Sequence, residues 1–484
     1  DRFVERLRQR LDRMVIGDPL DEATDIGTIV SERQCRRVRD YIAMAEAAPE
    51  ATVVRCGALP SGEGLAAELF LQPTLVLGID PSSPVVREEI FGPVTVIHLQ
   101  DDRALNALGS ALVAGLAPDG GLYVPEAIPQ VDLSTPRATL AESADAVLAP
   151  YLAGSRLRSQ LTALCREAFA FDAPLRPLRG PGDHVLELFH GPTAAFKDYA
   201  ARFLAAALGA LRAPGAPETT IVVATSGDTG AAVAAAFHRR PGFRVAILYP
   251  DGKVSPRQAH GLECWGDNVQ AYRIAGSFDD CQRLAKQALA DTTLRAERPL
   301  GSANSISLGR LLPQAAYYAH AAAHHQAAHG RPLHLIVPTG NLGNACAAVL
   351  AQRMGAPIGG LHLACNANDT LPRFLGGAPY APQPTRATLA NAMDVGAPSN
   401  IERLRHWFAD DDALRAALRA TTVDDATIRD TIAAAPARHG IVACPHTATA
   451  LHVLETLRAS GDTRDWAVVA TAHPAKFDTV VEPL

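Results

Sequence analysis

Apolar positions along this chain switch between two spacings. Phe3, Val4, Leu7, Leu11 and Met14 recur with helical period, which predicts a helix over 2–14. Turn-forming residues fill 17–27, and Ser31 with Gln34 reads as a capping box that opens a second helix toward Ala47. Short β-like runs follow at 52–54, 74–77 and 94–99. A Gly- and Pro-punctuated loop spans 115–125. From about residue 185 onward, strand-length apolar runs at 221–225, 244–249, 333–337 and 467–471 alternate with Ala- and Leu-rich helical stretches. That alternation predicts an α/β fold with a mostly parallel sheet. Ligands of such folds gather at the carboxyl ends of strands, where helix N-termini point.

Length and charge divide the chain further. Its 484 residues leave room for roughly three domains. Asp and Glu number 51 against 45 Lys and Arg, a formal charge of −6. Residues 1–105 hold 18 of the acidic and 12 of the basic residues, so the whole excess lies there and the remainder is balanced. That balance gives no electrostatic case for nucleic acid or an anionic membrane surface. No apolar run reaches the ~18–20 residues of a membrane span. The eight cysteines include no C-x-x-C pair, so they are expected to be reduced, buried thiols of a cytoplasmic protein.

Only four of the 45 basic residues are lysine: Lys197, Lys253, Lys286 and Lys476. An amine can form an imine or act as a base near neutral pH, which a guanidinium cannot. Lys197 falls in the first turn of a predicted helix, after His190-Gly191-Pro192-Thr193 and beside the apolar positions 196, 199, 203, 204, 207, 208 and 211. A helix N-terminus and burial both disfavour a cation, so this amine is expected to have a lowered pKa. A surface lysine on an amphipathic helix is the plainer reading. Lys253 and Lys476 sit in turns, and Lys286 in a plain helical stretch.

Two strand-to-helix turns carry anion-cradle patterns. Ser226-Gly227-Asp228-Thr229-Gly230 follows the 221–225 run and leaves backbone N–H groups pointing outward, fit for a carboxylate or a phosphate; it also reads as an ordinary capped turn. Gly340-Asn341-Leu342-Gly343-Asn344 follows 333–337 and precedes a helix over 345–354. It is neither a G-x-G-x-x-G nor a Walker loop, so a cofactor with one phosphate fits better than a dinucleotide or ATP. A fourth run ends on Thr471 and turns through His473-Pro474; no second ligand at metal spacing accompanies His473. A reactive amine beside a one-phosphate cradle points to pyridoxal phosphate.

Residues 108–484 resemble the threonine synthase family, pyridoxal-phosphate enzymes of fold type II. Among the matching runs are Glu187-Leu188-Phe189-His190-Gly191-Pro192-Thr193, Ala195-Phe196-Lys197-Asp198, Ala224-Thr225-Ser226-Gly227-Asp228-Thr229-Gly230, Ala303-Asn304-Ser305-Ile306 and Ala470-Thr471-Ala472-His473-Pro474-Ala475-Lys476-Phe477. The resemblance implies two α/β domains, related to the tryptophan synthase β fold, with the cofactor in the cleft. It implies that Lys197 is the imine-forming lysine, that Gly340, Asn341, Leu342, Gly343 and Asn344 hold the cofactor phosphate, and that Thr471 lies near the pyridine nitrogen. Ser226, Gly227, Asp228 and Thr229 would hold the amino-acid substrate, with Lys253, Arg310 and Lys476 as candidates for its phosphate. The implied reaction converts O-phospho-L-homoserine and water to L-threonine and phosphate. Ser307 and Cys444 stand where the family usually has Asn and an acidic residue.

Residues 1–105 resemble the C-terminal part of the aldehyde dehydrogenase catalytic region, most specifically at Arg87-Glu88-Glu89-Ile90-Phe91-Gly92-Pro93-Val94. In that family the positions matching Glu89 and Phe91 lie against the nicotinamide ribose. The nucleotide-binding domain and the cysteine nucleophile segment of that family have no counterpart, so this part is expected to be an inactive α/β remnant. The expected organisation is therefore 1–105 for the remnant, 106–180 for the N-terminal region of the synthase part, and 181–484 for its catalytic region. The oligomer is expected to be a monomer or a homodimer. The alternatives are another fold type II lyase of the threonine or serine dehydratase kind, or a non-catalytic fusion.

Overall fold

A computed structural model describes residues 2–49, 51–60, 67–79, 83–88, 90–97, 107–115, 117, 121–304 and 306–484. By internal contact the chain divides into two units, 1–105 and 106–484.

The first unit is built on a three-stranded sheet of β1 (Thr52–Arg55), β2 (Thr74–Leu77) and β3 (Val94–Ile97). β1 runs antiparallel and β3 parallel to the central β2. Successive side chains of a strand point to opposite faces, and β2 buries both. Val76 packs with Cys35, Val38 and Ile42 of helix Glu32–Glu46. Leu75 and Leu77 cluster with Val4, Leu7 and Leu11 of helix Arg2–Leu11. Both predicted helices are therefore present. The capping box is only half formed: the Gln34 amide N–H donates to Ser31 Oγ at 3.3 Å, but the Gln34 side chain donates instead to the Ile90 and Phe91 carbonyls at 2.8 and 3.1 Å. Phe91 is 66% exposed. Glu89, residues 98–99 of the third β-like run, and residues 116, 118–120 and 305 of the quoted motifs lie outside the described residues.

The second unit holds two sheets. The larger comprises β4 (Leu175–Pro177), β5 (Asp183–Glu187), β10 (Leu333–Pro338), β11 (Ile358–Cys365), β12 (Leu418–Thr422) and β13 (Trp466–Ala470), in the order β12-β11-β10-β13-β5-β4. All neighbours are parallel except β4, which pairs antiparallel to β5. The smaller comprises β6 (Thr219–Ala224), β7 (Phe243–Pro250), β8 (Val269–Ile274) and β9 (Leu300–Ser302), parallel throughout, in the order β8-β7-β6-β9. The four predicted strands are β6, β7, β10 and β13. This is the expected α/β architecture of parallel sheets alternating with helices.

Helix Lys197–Leu211 is not the one-sided amphipathic helix its apolar stripe suggests. Ten of its fifteen residues are buried, including Ala200, Ala201, Ala205, Ala206 and Ala207. Alanine on every face lets neighbours close in, and a helix apolar all round belongs in the core. Its first residue, Lys197, is thereby carried at the tip of a rigid core element. All eight cysteines are free; seven are buried, and Cys264, against expectation, is exposed. Among the described residues no helix is long and apolar enough to cross a membrane.

Candidate active site

A cleft of about 1330 Å³ is lined by residues from strand-to-helix junctions of both sheets in the second unit. After β5 the chain turns through 188–196 into Lys197. This turn is clasped by Asp198, a buried carboxylate that accepts from the Thr193 N–H at 2.9 Å and the Thr193 hydroxyl at 2.7 Å. Gly191 is needed there, because a Cβ would lie 2.5 Å from Asp198 Oδ2. The turn is also tied to the end of β13: Ala195 bridges Ala472, and the Phe196 N–H donates to the Thr471 carbonyl at 2.9 Å. Lys197 and Thr471 both line the cleft.

After β10 the chain forms the second wall. Leu342 takes a left-handed conformation (φ 63°) and caps helix Gly343–Arg353, whose first turn faces the cleft. A Cβ on Gly340 would stand 2.7 Å from the Met393 Cα, so only glycine permits this approach. The Asn341 side chain holds the neighbouring loop, accepting from the Ser399 N–H at 2.7 Å, while its carbonyl accepts from Asn400 Nδ2 at 2.8 Å. Asn344 is buried; its Oδ1 accepts from the Tyr317 and Tyr318 hydroxyls at 2.6 and 2.8 Å. Its Nδ2 has no hydrogen-bond partner among the described residues. A helix N-terminus with an unspent amide donor is a cradle for a compact anion.

After β6 comes the third wall. Thr225 Oγ1 accepts from the Gly227 and Gly230 N–H groups at 3.0 and 2.9 Å, which locks the turn. Gly227 has φ 134° and sits against the Gln258 amide. Ser226, Asp228 and Thr229 line the cleft. Buried Asp228 pairs with Lys476 Nζ at 2.7 Å, and the same amine donates to the Thr193 carbonyl at 2.8 Å. Burial raises the Asp228 pKa, but the Lys476 and Lys197 charges overcome it and hold the carboxyl well below the usual range. Arg310 is buried, donates through Nη1 to the Ala303 carbonyl at 2.5 Å, and has no partner for Nε among the described residues. Burial lowers its pKa to about 10.

These charges act on Lys197. Its pKa is lowered to about 8, chiefly by burial and further by Lys476 and Arg310, against the upward pull of Asp228. Such an amine is neutral in an appreciable fraction near neutral pH, as a nucleophile or base requires. Lys197, Lys476 and Arg310 gather with Asp228 at this end of the cleft, which suits it to anionic ligands.

Of the residues singled out in the sequence, Lys197, Ser226, Asp228, Thr229, Arg310, Gly340, Asn341, Leu342, Gly343, Asn344 and Thr471 line one cleft. Gly227 and Lys476 stand directly behind it, through the turn and the ion pair described above. Lys253 lies on an exposed turn and does not line it. His446, which no pattern along the chain marks, also lines the cleft and is buried. Its Nε2 accepts from the Ala392 N–H at 3.1 Å, and burial lowers its pKa to about 4, so the ring is neutral. Asp394 is likewise unmarked in the sequence; burial raises its pKa to about 7 although Thr388 and Asn366 donate to it. Lys286, read as a plain helical residue, lines the cleft with Phe278, Gln282, Ala285 and Leu289. That spacing is one helical face and was available as a signal.

Comparison with known proteins agrees with this geometry. A family model described as pyridoxal-phosphate dependent enzyme matches residues 174–475, and one described as threonine synthase N terminus matches 101–169. The aldehyde dehydrogenase family model matches 1–111. The threonine synthase of Haemophilus influenzae is 41% identical over 377 residues, covering 77% of this chain and 87% of that protein. The Escherichia coli threonine synthase is 38% identical over 391 residues, covering 80% and 90%. The crystal structure of the Escherichia coli enzyme superposes with a TM-score of 0.70 at 37% identity, covering 78% of this chain and 87% of that one. The pyridoxal-phosphate-bound threonine synthase from Brucella melitensis also gives 0.70, at 35% identity, covering 78% and 88%. The chain thus belongs to the threonine synthase family of fold type II pyridoxal-phosphate-dependent enzymes, with an aldehyde dehydrogenase-like segment preceding it.

Proposed function

We propose that this chain converts O-phospho-L-homoserine and water to L-threonine and phosphate. The observation that carries the reading is the meeting, in one cleft, of a lysine with a pKa lowered to about 8 and two buried donors that have no partner among the described residues, Asn344 Nδ2 and Arg310 Nε. Two separate open donors suit two separate phosphates, one on the cofactor and one on the substrate.

The residues present fit pyridoxal phosphate. Gly340 to Asn344 would hold its phosphate, through backbone N–H groups and the Asn344 amide rather than the Asn341 side chain, which is spent on Ser399. Thr471 would meet the ring nitrogen, and Lys197 would hold the aldehyde carbon through Nζ. When bound, the cofactor supplies an electron sink for negative charge developing at the substrate Cα.

The chain's own residues do the rest. Ser226, Asp228 and Thr229 bind the substrate carboxylate through hydroxyl and backbone N–H groups at a helix N-terminus, while Gly227, whose N–H is held by Thr225, shapes the turn. Lys197 takes the Cα proton and later returns it, which needs an amine titrating near neutral pH. Arg310 binds the substrate phosphate and offsets the charge on the phosphate as it leaves Cγ. Lys476 holds Asp228 and Thr193 in place, and so positions Lys197; Lys253, on its exposed turn, is the weakest of the three phosphate candidates. We further assign a cytoplasmic location, a monomer or homodimer, and an organisation of an inactive segment over 1–105, a synthase N-terminal region over 106–180 and a catalytic region over 181–484.

The test is phosphate release from O-phospho-L-homoserine beside keto-acid release from threonine and serine. Threonine and phosphate in equal amounts support the proposal. Keto acid as the main product would instead mark a dehydratase of the same fold.

A further inference from the structure

We propose that His184, His325 and His329 form a binding site for a divalent transition metal of the zinc class, at the end of the larger sheet opposite the cleft. One ring nitrogen from each lies within 4.8 Å of the others. His325 and His329 are four residues apart on helix Ala315–His329, hence on one face. His184 comes from β5, so the site joins a strand to a helix.

Three features set this cluster apart from stacked aromatic packing. His325 Nε2 faces buried Asp465 Oδ2 at 3.0 Å, while its Nδ1 is buried and has no hydrogen-bond partner among the described residues. With the proton held on the carboxylate side, Nδ1 carries the lone pair, the arrangement found at metal-ligating histidines. His184 Nδ1 likewise lies 3.3 Å from the Gly182 carbonyl, which fixes the ring and leaves Nε2 for a ligand. His329 is exposed at the last turn of its helix, where its side chain is free to turn inward. Tetrahedral zinc with bonds of ~2.1 Å needs nitrogens roughly 3.4 Å apart, so the rings must draw together, and exposed His329 has the room to move. Three imidazoles without a thiolate favour Zn²⁺, Ni²⁺ or Cu²⁺ over Mg²⁺ or Ca²⁺, and leave a fourth position for water.

Asp465 also accepts from Arg331 Nε at 2.5 Å; that arginine is largely exposed and would share the carboxylate with the loaded site. The site is remote from the reaction. His184 stands near the start of β5 and Asp465 immediately before β13, whereas Lys197 and Thr471 follow the ends of those strands. None of the three histidines lines the cleft.

The test uses the full, cofactor-loaded chain without a polyhistidine tag, titrated with Zn²⁺ by equilibrium dialysis. One zinc per chain is expected, with a chelator-reversible rise in the unfolding temperature. His329→Ala, at an exposed position, should weaken binding tenfold or more. His324→Ala, on the same helix but outside the cluster, should leave it unchanged. Co²⁺ should give a visible spectrum that survives in His324→Ala and is lost in His329→Ala. Less than a tenth of an equivalent of zinc, or equal affinity in all three proteins, would overturn the site.

Discussion

Lys476 and Asp228 form a buried ion pair, with Nζ and Oδ1 2.7 Å apart. It joins the C-terminal run to the helix that follows β6. Through the Thr193 carbonyl the same amine steadies the turn that presents Lys197. Breaking one side of such a pair leaves a buried charge, at about 3–5 kcal/mol. Lys476→Met should therefore lower the unfolding free energy, read from urea titration, by that order. The pair also sets the Lys197 amine. Capture of pyridoxal phosphate by the cofactor-free protein needs the neutral amine, so its rate should rise with pH and flatten above about 8. Lys476→Met removes a nearby cation and should move that inflection to higher pH. Asp228→Asn removes the carboxylate that favours the ammonium and should move it lower. Shifts in the same direction would refute this account of the cleft's charge.

Lys197 is the group on which the proposed chemistry depends. Lys197→Ala should lower phosphate release on the order of 10²–10⁴-fold or more, and borohydride should no longer fix the cofactor to the chain. Full turnover by this variant would end the proposed mechanism. Mass spectrometry of the borohydride-treated wild-type chain should find the label on Lys197.

Gly340 tests the phosphate cradle without touching the lysine. An added Cβ meets Met393 backbone atoms at 2.7–3.0 Å, and backbone cannot swing aside as a side chain tip would. Gly340→Ala should weaken cofactor binding by about tenfold, a cost of roughly 1.4 kcal/mol, with activity restored by excess cofactor. Fluorescence titration of the cofactor-free protein measures this directly; unchanged affinity would place the phosphate elsewhere.

The aldehyde dehydrogenase-like unit has its own clusters, one around Val76 and one around Leu75 and Leu77. It carries the chain's formal charge excess and, in its described part, presents Phe91 to solvent. A chain lacking residues 1–105 should keep its phosphate-release rate within about twofold, as expected for a passenger. A large loss would show that the synthase part needs this segment.

The parts of the fold that were readable in the sequence are those where local pattern and burial agree. β6, β7, β10 and β13 are apolar runs because central parallel strands are covered on both faces. β8 escaped notice because it is an edge strand with half-exposed residues, β9 because it is three residues long, and β11 because Gly359 and Gly360 interrupt it. In the site, Lys197 and the Gly340–Asn344 turn stood out through local chemistry. His446 did not, because its significance lies in burial and in a bond to Ala392, 54 residues earlier in the chain. Lys286 is exposed on its helix, as a cation in a polar stretch should be, and its place at the cleft shows only when the helix face is traced. The Lys476–Asp228 pair joins positions 248 residues apart, and no pattern along the chain announces such a contact.

His446 gives the last prediction, on acid stability. Burial holds its folded pKa at about 4 against an ordinary 6.5, and burial does the same to His320 and His362. A histidine with a depressed folded pKa binds its proton more readily when unfolded. Stability must then fall as pH drops below about 6.5, with the loss complete below about 4. For His446 alone the full loss is up to about 3 kcal/mol. His446→Gln can still accept from the Ala392 N–H through its amide oxygen but has no proton to bind. Urea midpoints at pH 7 and pH 5 should differ less in this variant than in the wild type. An identical acid shift in both would mean that His446 is protonated in the folded cleft, and that the ring does not act as a neutral acceptor for Ala392.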